Sequence, residues 1–535
     1  MTILSRRIHP LARVLVLPIL LSLVVAACTP TATAPGSSAP ATTAATSAPT
    51  AAPTPAGPSG TLTIAMRGDI QSTHPFLSYD IVGISYRENL FDGLVEWGYD
   101  GKIVPGLAES WKVDGLNVTF TLRKGVKFHN GEDFNADSVK FSFENVKSAD
   151  LKSGSASNVA AVTGITIVDP YTVTMVMSRV DARIFDILAN NMSMLPPKYY
   201  ASVGQAGFIA KPVGTGPFKF VSWVKDDKLV MEANTSYWAG SYKGQPAVQT
   251  LIFRPIPTAA TRVAELRSGG ADIIQDVPPD QVDPLKSGGF DVVESKSPVY
   301  DFAFFNSAGD KGAPLKDAKV RTAMNLAVDM STIIKTILGG HAGPLAGGVT
   351  DLTVGYNSAV QPFTQNQAKA KDLLAQANYP NGFSIDADIS SSQKPDVAQA
   401  IIAQLGQVGI KVNLTALPTD VFNDRWVKKG LDQMYFVTWN TFTHPALLDL
   451  LAGCKGFISS FCSTEAQPFL DQGGATLDAA AQDTAYKKAV EVFGRDPFAI
   501  YITSANSLTG VSKKVTGWKS HGITVVLGTN AKVSK

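Results

Sequence analysis

The stretch Thr438–Asp449 reads TWNTFTHPALLD and directly follows MYFV, a run of buried-strand character. Trp439, Phe442 and His444 are interspersed there with the amide of Asn440 and the hydroxyl of Thr441, and no acid occurs before Asp449. Aromatic faces with amides and hydroxyls between them form a wall that holds sugars, peptides or aromatic acids through contact area and a few oriented hydrogen bonds. Phe442 suits a packed core as well as it suits such a wall. The chain offers no better reactive set elsewhere. Its six histidines, His9, His74, His129, His341, His444 and His521, lie far apart in sequence, which weakens the case for a metal motif. G-x-S-x-G is absent, and S-x-x-K occurs at both Ser222–Lys225 and Ser391–Lys394, as a weak pattern does by chance. Catalysis needs a nucleophile with a nearby base, and the sequence nominates none. Neither an enzyme nor a cofactor is expected.

The ends of the chain set the compartment. Arg6, Arg7 and Arg13 precede an uncharged run from Val14 to Ala27. A membrane span needs about 20 apolar residues, so this run has the length of a signal peptide. It closes on V-A-A-C at Val25–Cys28, the form of a bacterial lipobox, which predicts a signal peptide over 1–27 and a lipid on Cys28. Residues 29–60 contain only Thr, Pro, Ala, Ser and Gly. Such a segment buries too little to offset its ordering entropy, and its prolines favour an extended tether. Loss of residues 1–27 takes the formal charge from +2 to −1, leaving no basic field for nucleic acid. The remaining cysteines, Cys454 and Cys462, form an even pair with Gly456 between them, and a disulfide is expected in an oxidising compartment.

The elements that must position any site fall into two regions. From residue 61 to 255 the chain is strand-rich. TLTIAM, LNVTFTL, ITIVDPYTVTMVM around the turn Asp169-Pro170-Tyr171, KLVMEAN and VQTLIFRP read as strands. A short helix is predicted over Ala136–Val146, started by Asp137. From residue 315 to 436 the pattern becomes helical. A helix with Asp317 as N-cap runs towards Gly339-Gly340, a second covers Gln365–Ala377 and a third Asp396–Gly409. FSIDADIS and IKVNLTAL flank the third helix, so strand, helix and strand predict a βαβ unit.

Five segments in order carry a resemblance. They are FDGLVEWGYDGKIVPGLAESW (Phe91–Trp111), TFTLRKGVKFHNGEDFNADSVKFSFENV (Thr119–Val146), VGTGPFKFVSW (Val213–Trp223), NTSYW (Asn234–Trp238) and FFNSAGDKGAPLKDAKVRTAMNLAVDMSTII (Phe304–Ile334). Together they resemble the extracytoplasmic solute-binding proteins of ABC importers, family 5, the peptide/nickel class, over about residues 61–520. The resemblance implies an α/β fold: a two-lobed clamshell of the periplasmic-binding-protein type, with an extra strand-rich subdomain in the first lobe. The lobes are expected at 61–304 and 305–503, with 504–535 returning to the first. The crossings are expected near Tyr300–Asn306 and Ile500–Asn506. It also implies a monomer that captures a solute between its lobes and delivers it to a membrane permease. Asn130-Gly131 and the turn Gly214-Thr215-Gly216-Pro217 read as scaffold, and no Gly-Lys-Ser/Thr follows to make a phosphate loop.

Peptide-binding members commonly carry W-x-x-D at a strand end, the acid pairing with the peptide's amino group. The matching residues here are Trp439, Asn440, Thr441 and Phe442, so an aromatic ring stands in place of the acid. Burying an ammonium without a carboxylate is costly. Either Asp301, in VYDFAFFN, supplies the acid, or the solute has no amine, as an oligosaccharide has none. Lys394, in SSQKP, matches where members can carry a carboxylate-binding Arg. Trp439 is the expected aromatic wall, with Tyr300 and Tyr79 as further candidates. A sensory receptor subunit or an adhesin on the same clamshell is the alternative role.

Overall fold

The computed structural model describes residues 57–78, 80–307, 312–393, 395–440, 444, 446–456 and 458–534, with the backbone alone at 440 and 447. The expected signal peptide, Cys28 and the tether as far as residue 56 lie outside the described residues. No helix among them is long and apolar enough to cross a membrane.

Two sheets organise the chain. The seven-stranded sheet runs in the order Asp291–Ser295, Ser507–Val511, Ile273–Ile274, Thr61–Met66, Thr250–Pro255, Lys228–Ala233 and Phe218–Val224. Thr61–Met66 is parallel to both of its neighbours. The six-stranded sheet runs Ala342–Gly343, Ala499–Ala505, Val299–Phe305, Met434–Asn440, Phe383–Ser390 and Ile410–Leu417. Phe383–Ser390 and Ile410–Leu417 pair in parallel around the helix Pro395–Gly406, as strands joined by a crossover helix must. A separate four-stranded antiparallel sheet, Ala108–Asp114, Asn117–Leu122, Thr172–Met177 and Val162–Asp169, is the strand-rich subdomain. One large apolar cluster and one small one fill the first lobe, and two others cover the opposite faces of the six-stranded sheet.

The chain changes sheet twice. Asp291–Ser295 belongs to the first sheet and Val299–Phe305 to the second, so the first change falls at residues 296–298, ahead of the 304/305 boundary read from sequence. The second falls at Asn506, between Ala499–Ala505 and Ser507–Val511. The two crossings are fastened to each other. Ser504 Oγ donates to Ser297 O at 2.7 Å, and Ser297 Oγ donates to Ala505 O at 2.5 Å. Glu294 of the first lobe accepts from Asn506 Nδ2 at 2.6 Å and lies 2.9 Å from His341 Nδ1 of the second.

Local readings differ from the structure at three places. The helix Ala136–Val146 is capped by Asn135 rather than started by Asp137: the Asn135 side chain accepts from the backbone N–H groups of Asp137 and Ser138, completing a capping box with Ser138. The helix begun at Asp317 stops at Ala327, because Asp329 caps a second helix, Met330–Thr336, by accepting from Thr332 N–H and from the Ser331 and Thr332 hydroxyls. The strand that holds MYFV extends to Asn440, so Thr438, Trp439 and Asn440 are strand residues and not a loop beyond it. Cys454 and Cys462 are joined as a disulfide.

The family-like segments of the first lobe converge on one buried cation. Lys243 is fully buried, and its Nζ donates to Asp92, Glu96 and the Phe91 carbonyl, each at 2.9 Å. Glu88 lies 3.2 Å away. Asp92 also accepts from Thr215 Oγ1 (2.8 Å), Trp238 Nε1 (2.9 Å) and Tyr237 OH (3.0 Å). Burial opposes the charge on Asp92, but Lys243 and these donors hold its carboxyl below the usual range. Burial pushes Glu96 well up, so Asp92 carries the counter-charge. Gly214 and Gly216 press against the Leu90 backbone so closely that a Cβ there would fall 2.1 and 2.4 Å from Leu90 atoms. His129 brackets the same turn, lying 3.0 Å from Gly216 O and accepting from Gly214 N–H, and burial lowers its ring to about 4. This turn is packing and not a ligand loop.

Removing the ammonium leaves Asp92 buried without a partner charge. Lys243→Met is expected to lower unfolding stability by about 3–5 kcal/mol. A urea titration followed by circular dichroism measures it; a loss within about 0.5 kcal/mol, as for an ordinary surface change, would remove the cluster from its structural role.

Candidate functional site: a cleft between the lobes

Side chains of the six-stranded sheet alternate between its two faces. Along Val299–Phe305, Ala303 and Phe305 join the cluster on one face, and Tyr300, Phe302 and Phe304 join the cluster on the other. Along Met434–Asn440, Met434 and Phe436 lie on the first face and Tyr435 and Val437 on the second. Asp301 and Thr438 pair directly across the two strands and share the first face. At the crossing end of that face the apolar packing stops, and a cavity of about 1020 Å³ opens against the first lobe. Its second-lobe wall includes Asp301, Gln393, Thr438 and Thr503; its first-lobe wall includes Arg67, Pro279 and Asp280.

Asp301 is the most constrained polar group in this cavity. Thr438 Oγ1 donates to Oδ1 at 2.6 Å, and Thr503 Oγ1 donates to Oδ2 at 3.2 Å. Thr503 reaches it through a β-bulge: Asp301 pairs with Thr503, but Phe302 pairs with Tyr501, leaving Ile502 without a partner. The extra residue turns Thr503 to the face that Ile502 also lines. Burial pushes the Asp301 carboxyl above its usual range, and the two hydroxyls pull it back. Gln393 secures the neighbouring strand, with its amide donating to Phe436 O (3.1 Å) and accepting from Thr438 N–H (2.9 Å). Among the described residues lining the cavity, the charged side chains are Arg67 against Asp280, Asp301 and Asp396. The cavity therefore favours cationic groups at its second-lobe wall.

The sequence-derived candidates separate. Asp301 lies in the cavity. Tyr300 is 2% exposed on the other face, where its hydroxyl meets Thr353 at 2.5 Å and Thr350 at 3.4 Å. Trp439 sits on that same face, half-buried, edge-on to Trp426 at 5.4 Å. Strand alternation accounts for both, since each follows or precedes a cleft-facing residue by one position. His444 is buried against Tyr486, with Nε2 3.3 Å from Gln482 Oε1. Tyr79, Lys394, Thr441, Phe442 and the Asn440 side chain lie outside the described residues. Sequence reasoning missed Arg67, Gln393 and Thr503. Thr503 has no local signal, because only the bulge turns it inward; Arg67 has one, since it directly follows the first strand.

Comparison with known proteins agrees with this architecture. The chain is 28% identical over 476 residues to the glutathione-binding protein GsiB of Pectobacterium atrosepticum, covering 85% of this chain and 90% of that one. It superposes on DppA of Helicobacter pylori, a periplasmic binding protein solved in complex with the peptide STSA, with a TM-score of 0.73, 27% identity and coverage of 89% and 98%. It superposes on AgaA of A. tumefaciens R10, solved with agropinic acid, with a TM-score of 0.71, 26% identity and coverage of 89% and 99%. The family model for bacterial extracellular solute-binding proteins, family 5 (middle region), matches residues 102–457, more than half of the chain. The chain is a two-lobed clamshell and belongs to the family 5 solute-binding proteins of ABC importers.

Proposed function

We propose that this protein captures a short peptide, or a peptide-like solute with a free amine, in the cleft between its lobes and presents it to the permease of an ABC importer. The observation that carries the reading is Asp301. It is a half-buried carboxylate fixed by two threonine hydroxyls, in a cavity bounded by both lobes. An ammonium placed there replaces lost solvation with a charge-assisted hydrogen bond. Asp301 thereby takes the role that Phe442 vacates in W-x-x-D. A cavity of about 1020 Å³ holds a solute of several residues. The similarity to proteins named for glutathione and for a bound peptide supports the same solute class. Contacts from both lobes favour the closed state, and closure is what a permease can read.

The same reading covers the ends and the chemistry. The protein binds without catalysis, acts as a monomer, and is held outside the cytoplasm, in the periplasm or at the cell surface, by a membrane-inserted lipid on Cys28 after removal of residues 1–27. The V-A-A-C sequence and the uncharged tether support this anchor. One acyl chain binds a membrane only marginally, so at least two chains are required for stable anchoring.

Asp301→Asn is expected to weaken a free-amine tripeptide about 10- to 100-fold, the loss of one charge-assisted hydrogen bond worth roughly 1.5–3 kcal/mol. Isothermal titration calorimetry reads it, and equal affinity in both proteins would sink the amine anchor. Ionised Asp301 is the binding form, and its value lies above the usual 3.8. Affinity for an amine-bearing solute should therefore decline on acidification earlier than an exposed aspartate would allow, and that decline should vanish in Asp301→Asn. Expressed in its own export pathway, Cys28→Ala should move from the membrane fraction to the soluble extracytoplasmic fraction; retention on membranes would refute the lipid anchor.

A further inference from the structure

Arg67 lines the same cavity as Asp301 from the other lobe, and among the described residues its guanidinium is held only by one long ion pair. It follows Thr61–Met66, the central strand of the seven-stranded sheet, which is parallel to both neighbours. Ligands of open α/β sheets gather at the carboxyl ends of such strands. Its backbone N–H is fixed to Gln275 Oε1 at 3.2 Å, so the residue is anchored at its root. The side chain is 42% exposed, and its partner is Asp276, 3.7 Å from Nη1. That distance is an ion pair without a hydrogen bond, and the guanidinium makes no hydrogen bond to a described residue. Arg262, by comparison, spends its guanidinium on the carbonyls of Ile256, Pro257, Gln275 and Asp276. Arg67 is also the sole cation among the described residues lining the cavity.

We propose that Arg67 is a specificity-determining residue: it receives the carboxylate of the solute, so that the preferred cargo is a zwitterion bridging Asp301 of the second lobe and Arg67 of the first. This deepens the peptide reading above and rests on it. A guanidinium fork matches a carboxylate bidentately, which an ammonium cannot do. The arrangement makes the two ends of the solute report to different lobes. A solute lacking either charge touches one wall only and leaves closure unfavoured.

The test uses the mature lipid-free chain and one random tripeptide pool in three forms: free, N-acetylated and C-amidated. Native mass spectrometry counts what is retained by the unsubstituted protein, Asp301→Asn, Arg67→Gln and Arg67→Lys. The unsubstituted protein should retain the free pool about tenfold or more over the amidated one. Arg67→Gln should bring the free pool down to the level of the amidated pool, and Arg67→Lys should fall between. N-acetylation should matter as before in both Arg67 variants, which also shows that they are folded. If Arg67→Gln and Arg67→Lys keep the full preference for the free carboxylate, Arg67 is not its partner, while the Asp301 reading stands. If the unsubstituted protein treats free and amidated pools alike, the zwitterion assignment is overturned. If it retains no pool, the peptide reading fails and the Arg67 assignment with it.

Discussion

A lysine that cannot reach water governs the first lobe. Lys243 loses its hydration on folding and recovers the cost only if its donors meet acceptors in good geometry. Asp92, Glu96 and the Phe91 carbonyl supply that geometry. They lie on the segment that follows the helix Ile81–Leu90, with Glu96 in the short strand Val95–Trp97, whereas Thr215, Tyr237 and Trp238 approach Asp92 from segments more than a hundred residues later. One ion therefore fixes the relative positions of several loops that no common strand connects. Thr215 precedes the strand Phe218–Val224 and Tyr237 follows the strand Lys228–Ala233, so the clamp ties one edge of the seven-stranded sheet to the segment after Leu90.

The second lobe solves a different problem. Its inner strands, Val299–Phe305 and Ala499–Ala505, are covered on both faces and read as nearly continuous hydrophobic runs. Where these inner strands run out at the crossings, polar side chains line the cavity. Asp301 and Thr438, together with Thr503, mark that transition. The cleft is where two covered sheet faces end at the crossing segments, and its charged groups are those that the cores could not accept.

Much of this was legible in the sequence, and the reasons for the rest are physical. Alternation in TLTIAM, LNVTFTL and IKVNLTAL located strands because one face of each is more buried than the other. The βαβ unit followed from element spacing. The helix after Asp317 was read too long because Asp329, Ser331 and Thr332 interrupt it by side-chain hydrogen bonds that leave the apolar periodicity intact. At the site, Asp301 was nominated as a possible acid and lies in the cavity. Tyr300 and Trp439 were nominated as aromatic surface, but parity along a strand, and not residue type, decides which face a side chain takes. Arg67 directly follows the first strand, but its neighbours in sequence do not show that its guanidinium makes no hydrogen bond to a described residue.

The bulge at Ile502 serves the cleft and the crossing together. The strand from Ala499 to Ala505 carries Thr503 into the cleft and, one residue later, sets Ser504 on Ser297 at the crossing. Both placements depend on the same extra residue. Substitutions at position 301 or 503 would change the lining of the cavity while leaving the fastening of the crossings intact. An insertion or deletion within this strand would change the side facing the solute and the fastening of the lobes in a single step. The geometry therefore tolerates exchange of side chains on a strand of constant length far better than a change in that length.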